Sequence, residues 1–348
     1  MGKSIQVGPD NGRVAMIDYL KGFSIFTIVL MHLMMTMSAM PSAINKLASI
    51  GGTGVHVFFL CSGIGLYMSF LRRRVGFIDF LKRRMSKIYV PYIIVVFISF
   101  LLPWMFDGNR IIALLSHVFL FKMFSPVYEQ SFGSHFWFIS TIIQLYLLFI
   151  PMCLLKDKLK NNKIFFFIFF GMSVVWWMIV FGIGQSEERV WNSFCFQYIW
   201  EFALGFIIGE AFYKGKGFNF SHWQLLVAAI LGIGIQAGMA LGSDALRVFN
   251  DVPAVIGYTA LALLLSNLGI VKWAGNQLSK FSYEFFLVHI LIFETIFYFI
   301  NPQGLLVQSV VALAALVVAL FAGWLYSQLV TKTINRSQAG VTIVLTLT

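Results

Sequence analysis

Apolar runs near twenty residues recur along this chain, with short polar stretches between them. Each is about long enough to cross roughly 30 Å of hydrocarbon as a helix. Lipid offers no hydrogen-bond partners, so the backbone of such a run must pair within itself, which predicts helices. Ten runs stand out, at about 21–40, 51–71, 88–105, 135–154, 164–182, 196–213, 222–241, 252–269, 281–300 and 304–330. Pro41, Pro103, Pro151 and Pro302 mark or follow their ends. The predicted fold class is all-α integral membrane, about ten transmembrane helices in one bundle. Residues 1–336 are read as one domain and 337–348 as a short, uncharged, β-prone tail. The apolar stretch from Ile111 to Phe124 is too short to span. It reads as an interfacial or re-entrant helix, placed either to roof an outward-facing cavity or to act as an anchor.

Composition strengthens the membrane reading. Hydrophobic residues make up 59% of the chain and charged residues 11%, and the mean hydropathy is +0.84. Soluble domains carry about 25% charged residues, so this chain cannot cover a globule with polar groups. A net charge of +11 would suit nucleic acid, but the placement of the cations argues against that partner. With a cytosolic N-terminus, the inner loops hold Lys3, Arg13, Lys21, Arg72, Arg73, Arg74, Lys82, Arg83, Arg84 and Lys87. They also hold Lys156, Lys158, Lys160, Lys163, Lys214, Lys216, Lys272, Lys280, Lys332 and Arg336. The other side holds only Lys46, Arg110, Lys122, Arg189 and Arg247. That bias puts both termini in the cytosol. Phe23 to Met40 is longer than a signal-peptide core, so it reads as an uncleaved first helix. Cys61, Cys153 and Cys195 are far apart and form no CxxC pair, so they read as small buried hydrophobes. The pairs Gly205/Gly209 and Gly234/Gly238 permit close helix approach, for which packing alone is sufficient reason.

Ionisable groups inside a span are costly, and each is a candidate site. Lys21 and His32 are eleven residues apart on the first helix. They therefore differ by only about 20° around the axis and about 16 Å along it. Asp18 stands three residues before Lys21, where an ion pair can form. A CoA nucleotide held at the basic edge would leave a thioester near His32, whose neutral imidazole suits a general base. A hydrogen bond from His32 to a neighbouring helix is the competing reading. Arg72–Arg74 and Lys82, Arg83, Arg84 and Lys87 form a basic face suited to phosphate, or simply to topology and anionic lipid. His56 lies in the second span; a pair with His32 invites a metal, but no third ligand stands at convincing spacing, so none is expected. His135, with Phe136-Trp137-Phe138, reads as sitting at the outer interface. Glu201, Glu294 and His289 are candidates for binding an acceptor, and ion pairing accounts for them equally well. Trp176, Trp177, Trp191 and Trp200 suit sugar stacking or interfacial anchoring.

Read as an ordered set, these motifs resemble the membrane acyltransferase type 3 family from about Met16 to Lys332. The first match is a basic residue, ten residues and a histidine, here Lys21 and His32. The second is an R-x-x-R pair before a PY stretch, here Arg84-Met-Ser-Lys87 ahead of Pro91-Tyr92. Lysine at the second place keeps the charge and loses the planar fork, for which Arg83 can compensate. Gly54-Val-His-Val-Phe-Phe-Leu-Cys-Ser-Gly63 is similar to the family's GVDxFFxxSG stretch, with His56 where an acid is common. Phe136-Trp-Phe and Ser282-Tyr-Glu-Phe-Phe-Leu-Val-His289 match other patches.

The resemblance implies a catalytic His32 supported by Lys21, and acyl-CoA bound by Lys21, Arg83, Arg84 and Lys87. His32 would act as general base on a sugar hydroxyl or carry the acetyl group itself. The implied activity is acetyl-CoA-dependent O-acylation of a cell-envelope or exported glycan in the bacterial inner membrane. It requires no tightly bound cofactor, and membrane lipid and polysaccharide-biosynthesis proteins are its expected partners. Two other classes fit parts of the pattern: a proton-coupled transporter or flippase of a lipid-linked or anionic solute, and a non-catalytic scaffold.

Overall fold

A computed structural model describes the backbone of residues 4–9 and 14–346, and the side chains there apart from those of 4, 47, 49, 241, 244 and 334–346. Lys3, Arg13, the Arg336 side chain and the last two residues of the tail lie outside the described residues.

Ten principal helices follow the ten apolar runs. They are α1 (Ala15–Thr36), α2 (Gly54–Arg72), α3 (Phe77–Leu101), α4 (Trp137–Leu159) and α5 (Asn162–Gly182). After these come α6 (Cys195–Tyr213), α7 (His222–Gly242), α8 (Asp251–Leu265), α9 (Ser282–Ile300) and α10 (Leu305–Thr346). Among the described residues, eight helical stretches are long and apolar enough to cross a membrane, and they contain α1–α5, α7, α9 and α10. The other two have local reasons for falling short: α6 carries Glu201 and Glu210, and α8 has 15 residues. The protein is thus an all-α, multi-pass membrane protein. The stretch Arg110–Val118 is a short helix capped by Asn109, whose side chain accepts from the Ile112 amide at 3.1 Å. It is too short to span.

Local chemistry sets the ends. The Asn161 side chain accepts from the amides of Lys163 and Ile164 to start α5, and Ser221 with Gln224 forms a reciprocal capping box at α7. Lys160 ends α4 and Asn301 ends α9 in the left-handed region, at φ 54° and 45°. Pro91 sits inside α3, where the Tyr326 hydroxyl of α10 donates to its carbonyl at 2.7 Å. One feature is absent from the pattern reading: β1 (Ser4–Val7) pairs antiparallel with β2 (Phe218–Ser221), just before α7.

Close packing of α2 on α6 forms the centre. A Cβ on Gly205 would lie 2.6 Å from the Leu60 carbonyl oxygen, so the two backbones touch only because glycine is there. The expected approach at Gly234/Gly238 does not form, because a Cβ added to either would meet no neighbouring helix within 4 Å. On α7 the contact is made at Gly232 against Gly257 of α8. The three cysteines are buried and free. Trp177 and Trp200 are buried in the core, while Trp176 stacks on Trp191.

Candidate active site

Two histidines from distant helices meet in the bundle. His32 lies one turn before the end of α1, and α9 brings His289 so that its Nε2 is 3.1 Å from His32 Nδ1. The His289 Nδ1 lies 2.7 Å from the Phe286 carbonyl oxygen and 3.2 Å from that of Phe285. A carbonyl can only accept, so Nδ1 carries the proton and Nε2 of His289 is the acceptor. His32 must then donate through Nδ1. Its Nε2 keeps a lone pair and makes no hydrogen bond among the described residues. The chain's fold thereby fixes which tautomer His32 adopts.

His135 completes a trio. Its ring centroid is 4.8 Å from that of His289 and 6.1 Å from that of His32. It is 2% exposed and neither ring nitrogen has a hydrogen-bond partner. The turn before α4 places it there. Gly133 has φ 125°, and a Cβ on it would meet the His135 ring at 2.7 Å. Lys122, itself buried, clamps the turn by donating to the carbonyls of Gly133 at 2.8 Å and Ser131 at 3.2 Å. Burial pushes the Lys122 ammonium down to about 7. Folding therefore favours the neutral amine, and stability should rise as pH climbs through 7 toward the ordinary lysine value. Detergent-purified protein should unfold at a higher temperature at pH 9 than at pH 6, and Lys122→Met should flatten that rise. An equal rise in the variant would remove Lys122 as its cause.

Two cavities approach this centre. The first, about 380 Å³, is lined by Lys21, Arg84, Ser62, Tyr146 and Tyr283 among others. Tyr283 is fixed by donating to the Ile88 carbonyl at 2.6 Å. The Arg84 Nε is buried with no partner, and its guanidinium lies over Phe80. Arg83 is exposed and lines an adjoining groove of about 80 Å³ with Arg73 and Arg84. Lys87 is exposed and lines neither space. Of the four expected donor-binding residues, Lys21 and Arg84 come together, Arg83 stands beside them and Lys87 stands apart.

The second cavity, about 360 Å³, is lined by His32, His56, His135, Arg189, Gln236 and Tyr198 among others. Ile28, Val55, Phe138 and Phe286 line both cavities and form an apolar partition between them. Lys21 and His32 thus lie on opposite sides of that partition. Glu294 is exposed on the wall of a third space of about 300 Å³, which His32 also lines. Glu201 is fully buried, and its Oε1 is 2.6 Å from His56 Nδ1. Asp251 Oδ1 lies 3.7 Å from His56 Nε2.

Sequence reasoning did not single out Asp251, although an acid opening an apolar run was a visible signal. Nor did it place Tyr198, whose ring is 5.4 Å from that of His56. The family model for acyltransferase 3, described as an acyltransferase domain, matches residues 14–328. No curated protein and no solved structure matches the chain.

Proposed function

The chain belongs to the acyltransferase 3 family, and on that premise we propose that it moves an acetyl or other short acyl group from acyl-CoA to a hydroxyl of a cell-envelope or exported glycan. The observation that carries this reading is the His32 tautomer, with a lone pair on Nε2 beside the partition between two cavities. The charge bias along the loops favours both termini cytosolic and about ten spans, and a cell-envelope acceptor would place the protein in a bacterial inner membrane.

The donor enters the first cavity from the cytosol. Lys21 and Arg84 meet its phosphates, Arg84 through a planar fork and Lys21 as a point charge. The pantetheine arm is of comparable length to the roughly 16 Å between Lys21 and His32. It leads the thioester past Ile28, Val55, Phe138 and Phe286 to His32. Nε2 of His32 bonds to the acyl carbon, the carbon–sulfur bond breaks, and CoA leaves as the thiolate. The His32 Nδ1 proton passes to His289 Nε2, 3.1 Å away. The acyl group is thereby held facing the second cavity, where a glycan hydroxyl collects it. Polysaccharide-biosynthesis proteins are the natural suppliers of that acceptor. No bound cofactor is required.

Acetyl-CoA binding to detergent-purified protein tests the donor side without knowledge of the acceptor. Saturable binding is expected, and Arg84→Ala should weaken it about 10- to 100-fold, the range for losing a charge-assisted hydrogen bond. Lys87→Ala should matter less, because Lys87 lines neither space. Folded protein that binds no short acyl-CoA would return the problem to a transporter or scaffold.

A further inference from the structure

His56 is the second histidine of the cavity that His32 faces, and its surroundings differ in kind. His32 is backed by a neutral imidazole, whereas His56 is backed by a carboxylate. Glu201, from the centre of α6, is fully buried with Oε1 2.6 Å from His56 Nδ1. No other hydrogen-bonding partner of Glu201 is found among the described residues, and its Oε2 is buried and unpaired. A carboxylate facing one ring nitrogen fixes the tautomer and stabilises the imidazolium formed when the other nitrogen takes a proton. That other nitrogen, Nε2, is not tied up, since Asp251 Oδ1 stands 3.7 Å away, beyond hydrogen-bond range. Asp251 is itself held by Gln197, whose amide donates to Oδ2 at 2.6 Å and to the Val248 carbonyl at 2.9 Å. An imidazolium at His56 would therefore lie between two fixed carboxylates.

We infer that His56 is the general base for the incoming hydroxyl, with Glu201 as its positioning residue, so that two of the cavity's three histidines divide the reaction. This rests on the reading that His32 carries the acyl group. The hydroxyl oxygen bonds to the acyl carbon, and its proton moves to His56 Nε2. The bond from the acyl carbon to His32 Nε2 breaks, and His32 recovers its Nδ1 proton from His289. His56 then releases its proton to water in the cavity, while the thiolate takes one from the cytosol, so the ester, the thiol and the charges balance. The acceptor end has furniture for a sugar. Trp137 and Tyr198 line the cavity with rings stacked at 5.9 Å. Gln236, 6% exposed on the same wall, has an unpaired Oε1 able to accept from a hydroxyl.

The test separates uptake of the acyl group from its release, with water as the simplest hydroxyl donor. Purified full-length protein is given acetyl-CoA labelled in the acetyl group. Label on the protein, its loss to water and its loss to hydroxylamine are followed separately. His56→Asn should take up label at the wild-type rate and lose it to water about 100-fold or more slowly. Hydroxylamine needs no base and should collect the label as fast as from wild type. Added imidazole should restore part of the loss to water in His56→Asn. Glu201→Gln should show the same split more weakly, with acetyl-CoA affinity unchanged. If His56→Asn loses uptake and release alike, or loses neither, the assignment is wrong. Stoichiometric metal in the wild-type protein that disappears in Glu201→Gln and Asp251→Asn would replace the base with a metal site. Wild-type protein that takes up no label would overturn the acyl-carrier reading on which the assignment rests, an outcome distinct from any failure of the variants.

Discussion

His32→Ala is expected to reduce acyl transfer by at least about 10³-fold, the scale seen when a nucleophile that acts as part of a unit is removed. Acetyl-CoA affinity should change little, because the cations assigned to the donor line a different cavity, beyond Ile28, Val55, Phe138 and Phe286. The variant should also fold. His32 is partly exposed, and its side chain makes one hydrogen bond between helices, which typically contributes about 1 kcal/mol. His32→Gln sharpens the result: an amide can still donate toward His289 but offers no nucleophilic nitrogen. Radiolabel transferred from acetyl-CoA, measured beside a binding isotherm, distinguishes the outcomes. Normal transfer by either variant would remove His32 from the chemistry.

The fold was legible because the bilayer allows so few solutions. Runs of twenty apolar residues must be helices, and each of the ten runs became one. The pairing of β1 with β2 was not legible, since two four-residue strands joined across some two hundred residues leave no periodic signal. Helix–helix contacts were half legible. Gly205 and Gly209 pack against α2 as their spacing suggested, but Gly234 and Gly238 do not touch a neighbour. Small residues permit approach without saying which face is used.

The site shows the same division. Lys21, His32 and Arg84 could be named because each is an ionisable group placed within or beside an apolar run. What the sequence could not supply was pairing across helices: His289 with His32, Glu201 with His56, and the burial of His135 beside the first pair. These contacts span 145 and 257 positions in the two hydrogen-bonded cases, so only the packed bundle reveals them. Lys87 shows the opposite case. Its place in a recognisable motif suggested phosphate binding, and the bundle leaves it exposed and outside the two spaces that Arg84 lines.

His289 carries the second large effect, through His32 and not through contact with the reacting atoms. Its Nδ1–H is committed to the carbonyls of Phe286 and Phe285, so its Nε2 must accept, and His32 must present a bare Nε2. With His289→Ala, the imidazole that accepts from His32 Nδ1 is gone. A tautomer with the proton on Nε2 can no longer attack a carbonyl, and the acyl-imidazole has no neighbour to take its Nδ1 proton. Loss of a tautomer-fixing partner in other catalytic units costs up to about 10⁴-fold. Here a fall of about 10²- to 10⁴-fold in kcat is expected, with acetyl-CoA affinity nearly unchanged. His289→Gln should recover part of the loss, because its amide oxygen can accept from His32 Nδ1–H. A residue that merely fills space would behave differently: Gln would do no better than Ala, and any loss would follow the fraction of folded protein. Single-turnover acyl uptake by the two variants, normalised to folded protein, decides between a histidine that aims His32 and one that only packs beside it.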